Sequence, residues 1–83
     1  MKTLSLYSRP GCHLCEELEA ELQGLIAGRA VSVTVVDISH DPGLERRYGL
    51  RIPVLADGEE ELSGYPLDRE RVERYLAGAA KGN

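Results

Sequence analysis

The feature that most constrains the fold is a pair of cysteines placed where a strand pattern gives way to a helix pattern. Residues 3–7 alternate apolar and polar side chains, which predicts a short strand. A proline and a glycine then interrupt the strand. Residues 12–27 repeat apolar side chains at helical spacing, through Leu14, Cys15, Leu18, Leu22, Leu25 and Ile26. Cys12 and Cys15, the only two cysteines of the chain, therefore lie at the start of a helix.

The rest of the chain continues to alternate strand and helix signals. The predicted elements are a strand over 31–38, a short helix after Asp41-Pro42 that ends at Gly49, strands over 52–56 and 60–63, and a helix after Asp68. Asp57-Gly58 is a hairpin signal between the last two strands. The order β-α-β-α-β-β-α predicts an α/β fold with a four-stranded mixed sheet and three flanking helices. We expect residues 1–83 to form a single domain, with the last three as a frayed tail.

Charge and composition exclude several function classes. The net charge is −4 and the arginines are scattered among glutamates, which argues against nucleic-acid binding. The N-terminus carries no apolar run of signal-peptide length, and no apolar stretch is long enough to cross a bilayer. We therefore expect a cytoplasmic protein without membrane contact, and its few exposed apolar positions favour a monomer. Because thiols stay reduced in the cytoplasm, a close cysteine pair there is more often catalytic or metal-binding than structural.

Three roles for the cysteine pair other than redox chemistry are weaker. A structural zinc site needs four Cys or His ligands, and His40 lies beyond the second strand while His13 sits between the cysteines. A structural disulfide would close a four-residue loop, which stabilises by only about 2 kcal/mol. The cysteines could also be packed thiols, since free cysteine is often buried. No metal site is therefore predicted.

The positions of the two cysteines around the helix predict that their thiols differ in burial. At about 100° per residue, Cys15 falls inside the apolar stripe, Cys12 falls at its margin and His13 faces water. Cys12 also stands at the helix N-terminus, where backbone N–H groups and the helix dipole favour a thiolate. We therefore assign Cys12 as the attacking nucleophile and Cys15 as the resolving thiol.

Three neighbouring side chains bear on Cys12. Arg9 adds positive charge three residues before it, whereas Glu16 opposes the thiolate. His13 either favours the thiolate when it is protonated or is simply a solvated surface residue.

Two segments make the chain similar to glutaredoxins, and in particular to the small bacterial glutaredoxin-like proteins of the thioredoxin-fold superfamily. "LYSRPGCHLC" resembles the first strand, loop and active-site helix start of that family, including the basic residue Arg9. "RIPVLADGEEELSGY" resembles the later strand with its active-site proline, the hairpin and the glutathione-binding glycine segment.

The resemblance implies a thioredoxin fold and a thiol–disulfide oxidoreductase active in electron transport. Its substrates would be mixed disulfides of proteins or of glutathione, with glutathione as a co-substrate and no bound cofactor. It also implies a cis peptide before Pro53 and an Ile52 backbone free to pair with substrate. The alternative for Pro53 is an ordinary strand-start proline. The implied glutathione segment is Ser63, Gly64 and Tyr65. Arg51 would either hold a substrate carboxylate or be a solvated charge.

The chain departs from the glutaredoxin pattern at two places. Glutaredoxins carry Pro-Tyr between the cysteines, where this chain has His13-Leu14. They carry two successive glycines before the last helix, where this chain has Ser63-Gly64 and one extra residue before Asp68. Whether glutathione binds is therefore left open by the sequence. Two further functions also stay open: a thioredoxin-fold binding or redox-sensing module with little turnover, and a weak metal carrier.

Overall fold

The computed structural model describes residues 2–80, so the predicted tail at residues 81–83 lies outside the described part. The elements are β1 (Lys2–Ser8), α1 (His13–Ile26), β2 (Val31–Asp37), α2 (Pro42–Tyr48), β3 (Val54–Asp57), β4 (Glu60–Ser63) and α3 (Arg69–Ala80), with one 3₁₀ turn at Ile38–His40. The predicted order and α/β class are confirmed. Within residues 2–80, no helix has the length and apolar character needed to cross a membrane.

The four strands form one mixed sheet in the order β2-β1-β3-β4. β1 and β2 are parallel, as the crossover rule predicts, and both β1–β3 and β3–β4 are antiparallel. Tyr7 pairs with Val54, and Leu55 pairs with Ser63. The C-terminal ends of β1 and β4 and the N-terminal end of β3 therefore meet at one end of the sheet. The cysteine loop leaves β1 at that same end.

Both faces of the sheet are covered. On one face, α1 and α3 enclose the main core, whose fully buried side chains include Leu4, Leu6, Leu18, Leu22, Leu55 and Val72. On the other face, α2 and the 3₁₀ turn cover a smaller cluster built on Ile38, Tyr48 and Val54. The Tyr48 ring stacks on Tyr7 with 4.3 Å between centroids. Two stacked aromatic rings thus belong to this smaller cluster, whereas the buried side chains of the main core are aliphatic.

Local signals placed both ends of α2, both ends of β4 and the start of α3 correctly. Asp41 accepts hydrogen bonds from the N–H groups of Gly43 and Leu44, and Asp68 accepts one from Arg71, so both predicted helix caps are confirmed. Gly58, with φ of 62°, turns the β3–β4 hairpin between paired Asp57 and Glu60.

Several other predicted boundaries were wrong by one or two residues, and three of these differences have a visible cause. Cys12 is the N-cap of α1, so the helix begins at His13. β2 ends at Asp37, whose side chain accepts a hydrogen bond from Ser39 N–H and begins the 3₁₀ turn. β3 begins at Val54 and not at Ile52, because the Ile52 N–H closes the end of α2 by bonding to the Tyr48 carbonyl at 3.0 Å.

Two apolar residues of the predicted buried stripes are exposed. Leu14 is 44% exposed. It lies in the first turn of α1, at the end of the sheet, where helical phase alone does not decide burial. Val35 is 45% exposed, because β2 is an edge strand and receives less cover from the helices.

Candidate functional site

Cys12 and Cys15 form a disulfide with their Cα atoms 5.2 Å apart, within the usual range for such a bond. The Cys12 sulfur also accepts a hydrogen bond from the Cys15 N–H at 3.2 Å, which makes Cys12 the N-cap of α1. Cys15 is 4% exposed, whereas Cys12 is partly buried and His13 is exposed. The predicted inequality in burial is confirmed: Cys12 is reachable from solvent and Cys15 lies behind it.

The Arg9 guanidinium is paired with a carboxylate on another element. Its Nη2 lies 2.6 Å from the Glu45 carboxylate on α2. The Arg9 backbone carbonyl accepts the Cys12 N–H at 3.3 Å in the cysteine loop. Arg9 therefore links this loop to α2, and its charge is balanced by Glu45.

His13, Glu17 and Tyr65 form a chain of polar contacts across two segments of the site. The His13 Nε2 lies 2.8 Å from one Glu17 carboxylate oxygen, and the Tyr65 hydroxyl donates to the other at 2.7 Å. The bond to Glu17 raises the pKa of the Tyr65 hydroxyl. The first turns of α1 are thereby tied to the segment that follows β4.

Arg51 is held in a bidentate ion pair. Its two terminal nitrogens donate to the two Glu61 carboxylate oxygens at 2.8 and 2.9 Å, and its guanidinium lies 5.4 Å from the centre of the Tyr48 ring. These hydrogen bonds lower the pKa of Glu61 and raise that of Arg51. The Arg51 charge is therefore matched within the chain at the entrance to β3.

Ile52 and Pro53 lie directly before β3, at the sheet end from which the cysteine loop leaves. The peptide bond between them is cis, as the resemblance to glutaredoxins implies. The Tyr65–Pro66 bond is also cis, which was not predicted. Pro53 is fully buried and Ile52 is partly buried, so only the Ile52 side of this step reaches the surface. The Ile52 backbone is not entirely free, as the resemblance implied, because its N–H bonds to the Tyr48 carbonyl at 3.0 Å.

Ser63 and Gly64 form the turn that leads towards α3. The Ser63 hydroxyl donates to the Gly64 carbonyl at 2.9 Å and accepts the Asp68 N–H at 2.9 Å. A Cβ atom placed on Gly64 would lie 3.8 Å from the Pro53 carbonyl oxygen. The turn and the cis-proline step are therefore neighbours.

An open groove of about 370 Å³ runs along these segments. Its lining residues come from the turn before β3, from β3 and β4, from the segment after β4 and from α3. They are Arg51, Val54, Glu61, Leu62, Ser63, Gly64, Tyr65 and Arg71. A groove of this size accommodates a small ligand or a peptide side chain.

The fold brings all ten predicted site residues to one end of the sheet. What the sequence analysis missed is the set of carboxylates that engage the predicted binding groups, namely Glu17, Glu45 and Glu61. Glu17 could have been found, because it lies four residues after His13 on one helix. Glu45 and Glu61 reach their arginines only through the tertiary fold. Over residues 2–80, no three His, Cys, Asp or Glu side chains are grouped so as to hold a metal ion.

Comparison with known proteins supports the same fold. A family model described as "Glutaredoxin-like domain (DUF836)" matches residues 3–77. No curated protein matches the chain. Protein Ne2328 from Nitrosomonas europaea, a solution structure, is similar at 38% identity with a TM-score of 0.80, over 90% of this chain and 91% of that one. Protein XcR50 from X. campestris is 38% identical with a TM-score of 0.66, over 90% and 96%.

A more distant structure shares the fold alone. Thioredoxin 1 from Thermosipho africanus is 16% identical, with a TM-score of 0.61 over 94% of this chain and 98% of that one.

Proposed function

The chain belongs to the family of glutaredoxin-like domains, and from that premise we propose that it is a thiol–disulfide oxidoreductase working through Cys12 and Cys15. The observation that carries the proposal is the unequal pair at the start of α1. Cys12 is partly exposed and is the helix cap, while Cys15 is buried one turn behind it. A pair with that arrangement suits attack by one thiol and resolution by the other.

In the first step of the proposed reaction, the Cys12 thiolate attacks one sulfur of a substrate disulfide. A Cys12–substrate mixed disulfide forms, the substrate S–S bond breaks, and the departing thiolate takes a proton from solvent. The Cys15 N–H that points at the Cys12 sulfur at 3.2 Å stabilises negative charge there, as does the N-terminal end of the α1 dipole.

In the second step, the Cys15 thiolate attacks the Cys12 sulfur. The second substrate thiolate leaves and is protonated, and the Cys12–Cys15 disulfide forms, so two electrons have passed to the substrate. A thiol reductant then restores the pair. We place the reaction in the cytoplasm, where such thiols are available, and we propose that the protein acts as a monomer.

The substrate is proposed to be a disulfide of a protein or of glutathione. The Ile52 N–H is already bonded to the Tyr48 carbonyl, so an extended substrate segment would pair with the Ile52 carbonyl, just before β3 at the sheet end that carries the cysteines.

Trapping of the mixed-disulfide intermediate tests the proposal. Reduced Cys15→Ser protein, mixed with a disulfide substrate or a cell extract, should accumulate mixed disulfides through Cys12 that dithiothreitol releases. The matched Cys12→Ser protein should accumulate few or none, because its remaining thiol is buried. Absence of any adduct with Cys15→Ser would contradict turnover and favour a thioredoxin-fold binding or redox-sensing module with little turnover.

A further inference from the structure

One arginine of the groove is held by a neutral group and not by a carboxylate. Arg71, in the first turn of α3, is exposed and lines the groove. Its Nη2 donates to the Glu61 backbone carbonyl at 3.1 Å, which fixes the guanidinium against β4. The arginines that form ion pairs in the described chain are Arg9, Arg29, Arg51, Arg69 and Arg74. The Arg71 charge is therefore positioned but not balanced.

Two carboxylates close to Arg71 in the fold or in the sequence bind other groups. The Glu61 carboxylate accepts both terminal nitrogens of Arg51, and the Asp68 carboxylate accepts the Arg71 backbone N–H as the cap of α3. The charged residues that line the groove are two arginines and one glutamate, so its net charge is +1. The whole chain, in contrast, has a net charge of −4. The groove is thus a locally positive site on an acidic protein.

We infer that Arg71 determines substrate specificity in the proposed reaction, and that its guanidinium binds a carboxylate of the disulfide substrate. This inference rests on the proposed function and names the chemistry of its substrate. A guanidinium has five N–H donors arranged to meet a carboxylate with two parallel hydrogen bonds. In residues 2–80, the Arg71 guanidinium makes one hydrogen bond, so donors remain for a ligand.

The groove lies next to the segments that hold the cysteines. Gly64 lines it beside the Pro53 carbonyl, directly after the cis peptide bond. Tyr65, another lining residue, reaches the first turns of α1 through the bond from its hydroxyl to Glu17. A substrate whose disulfide meets the attacking sulfur would therefore extend into the groove towards Arg71. The carboxylate would come from an acidic side chain beside the disulfide cysteine of a protein, or from glutathione.

Two matched pairs of disulfides test the inference and separate these two sources. The first pair is a tripeptide with glutamate on both sides of its cysteine and the same tripeptide with glutamine there, both blocked at their termini and oxidised to symmetric disulfides. The second pair is glutathione disulfide and its fully methyl-esterified form. Dithiothreitol resets the Cys12–Cys15 pair, and the rate without protein is subtracted.

We expect kcat/KM for the acidic member to exceed that for its neutral partner by about fivefold or more in at least one pair, although the charge of the whole protein favours the neutral member. A preference in the peptide pair assigns the carboxylate to a protein segment, and a preference only in the second pair assigns it to glutathione. No preference in either pair overturns the inference and leaves the proposed function standing. Reduction of none of the four disulfides contradicts the proposed function itself, and the inference with it.

Removal of the charge gives the sharper result. Arg71→Gln should raise KM for the preferred acidic disulfide by about fivefold and leave kcat/KM for its neutral partner unchanged. Arg74→Gln is the matched control, because it removes the same charge from α3 at a residue that pairs with Glu70 and does not line the groove. An equal fall on acidic and neutral disulfides in Arg71→Gln would mean that Arg71 only anchors α3 to β4. That result, or an equal loss of preference in Arg74→Gln, overturns the inference.

Salt provides a second readout that a purely structural role would not produce. The preference of the unmodified protein for the acidic disulfide should fall as sodium chloride rises from about 0.02 to about 0.5 M, because ions screen a pair formed at an exposed guanidinium. The rate on the neutral partner corrects for effects of salt on the reaction itself. A preference that does not change with salt would contradict recognition by the Arg71 charge.

Discussion

Cys12 and Cys15 have the same side chain in two different surroundings, and that difference predicts which thiol reacts first. Cys12 is partly exposed at the helix cap, and Cys15 is 4% exposed beneath it. In the reduced protein at neutral pH, iodoacetamide should therefore modify Cys12 roughly tenfold faster than Cys15 or more. Mass spectrometry of peptides from timed samples measures both rates. Equal rates would remove the distinction between attacking and resolving thiols, and urea-unfolded protein, in which both thiols are exposed, is the control.

A second residue-level feature lies at the opposite end of the sheet from the cysteines. Asp57 at the end of β3 accepts from the Lys2 ammonium at 2.8 Å and from the Tyr75 hydroxyl of α3. The Lys2 ammonium also lies 5.6 Å from the centre of the Tyr75 ring. One carboxylate thus joins β1, β3 and α3, and the bond from Lys2, followed by that from Tyr75, lowers the pKa of Asp57.

This lowered pKa predicts a pH-dependent contribution to stability. The ordinary pKa of this carboxyl group is 3.8, and its folded pKa lies below that value. Such a group stabilises the fold fully above pH 3.8, and the contribution is lost as the pH falls through the folded pKa. Asp57→Asn should therefore lower the free energy of unfolding at pH 7 by about 1 kcal/mol. The difference from the unmodified protein should shrink below pH 3.8. Urea unfolding across pH measures it.

The control for that experiment is Glu59→Gln in the exposed hairpin turn, which should leave the free energy of unfolding within about 0.5 kcal/mol at every pH. A gap between Asp57→Asn and the unmodified protein that stays constant from pH 7 down to acid would contradict the assigned role of the carboxylate.

Among the helices and strands, boundaries were predicted best where a cap or turn residue in the sequence marks the end of the element. α2 begins at Pro42 and ends at Tyr48 as predicted, because Asp41 caps one end and Gly49 follows the other. β4 was also placed correctly, since the Asp57-Gly58 turn fixes its start. The start of β3 was not, because the Ile52 N–H is used by the preceding helix end and not by the sheet.

In the candidate site too, features that follow from local sequence were predicted and those that depend on the tertiary fold were not. The cysteines and the cis-proline step follow from motifs and could be predicted. The carboxylates of Glu45 and Glu61 could not, since each meets its arginine through the packing of separate elements. Sequence thus identified the groups able to bind a ligand, and only the fold revealed that they are already paired.

Replacement of glycine by alanine should have opposite effects on the free energy of unfolding at two positions, one just before α1 and one within it. Gly11 has φ of 79° in the loop before Cys12, a region that costs an L-residue about 1 kcal/mol or more. Gly24 is exposed within α1, where alanine is favoured by about 1 kcal/mol, and a Cβ there would meet nothing within 4 Å. Gly11→Ala should therefore lower the free energy of unfolding and Gly24→Ala should raise it. Urea unfolding of both proteins checks the signs, and a shift of the two in the same direction would contradict the argument.

At the scale of the whole molecule, the groups that stabilise the fold are separate from those proposed to react. The main core fills the space between the sheet and the pair α1 and α3, while the site occupies one end of the sheet. Leu22 is fully buried in that core, ten residues beyond Cys12 and therefore about 15 Å along the helix. Changes at Leu22 should consequently affect stability without changing the chemistry of the cysteines.

Leu22→Ala should lower the free energy of unfolding by about 2–5 kcal/mol, because it removes buried methyl groups and leaves a cavity. A domain of this size has a total of only roughly 4–12 kcal/mol, so the variant should unfold at much lower urea concentration. In the absence of denaturant, the folded fraction should still show the unmodified rate of Cys12 alkylation, since the helix start is unchanged. Gln23→Ala, exposed on the next position of α1, is the control and should match the unmodified protein in both measurements. A Leu22→Ala protein that is as stable as Gln23→Ala would contradict the position of the core, and an altered Cys12 rate at full folding would contradict its independence from the site.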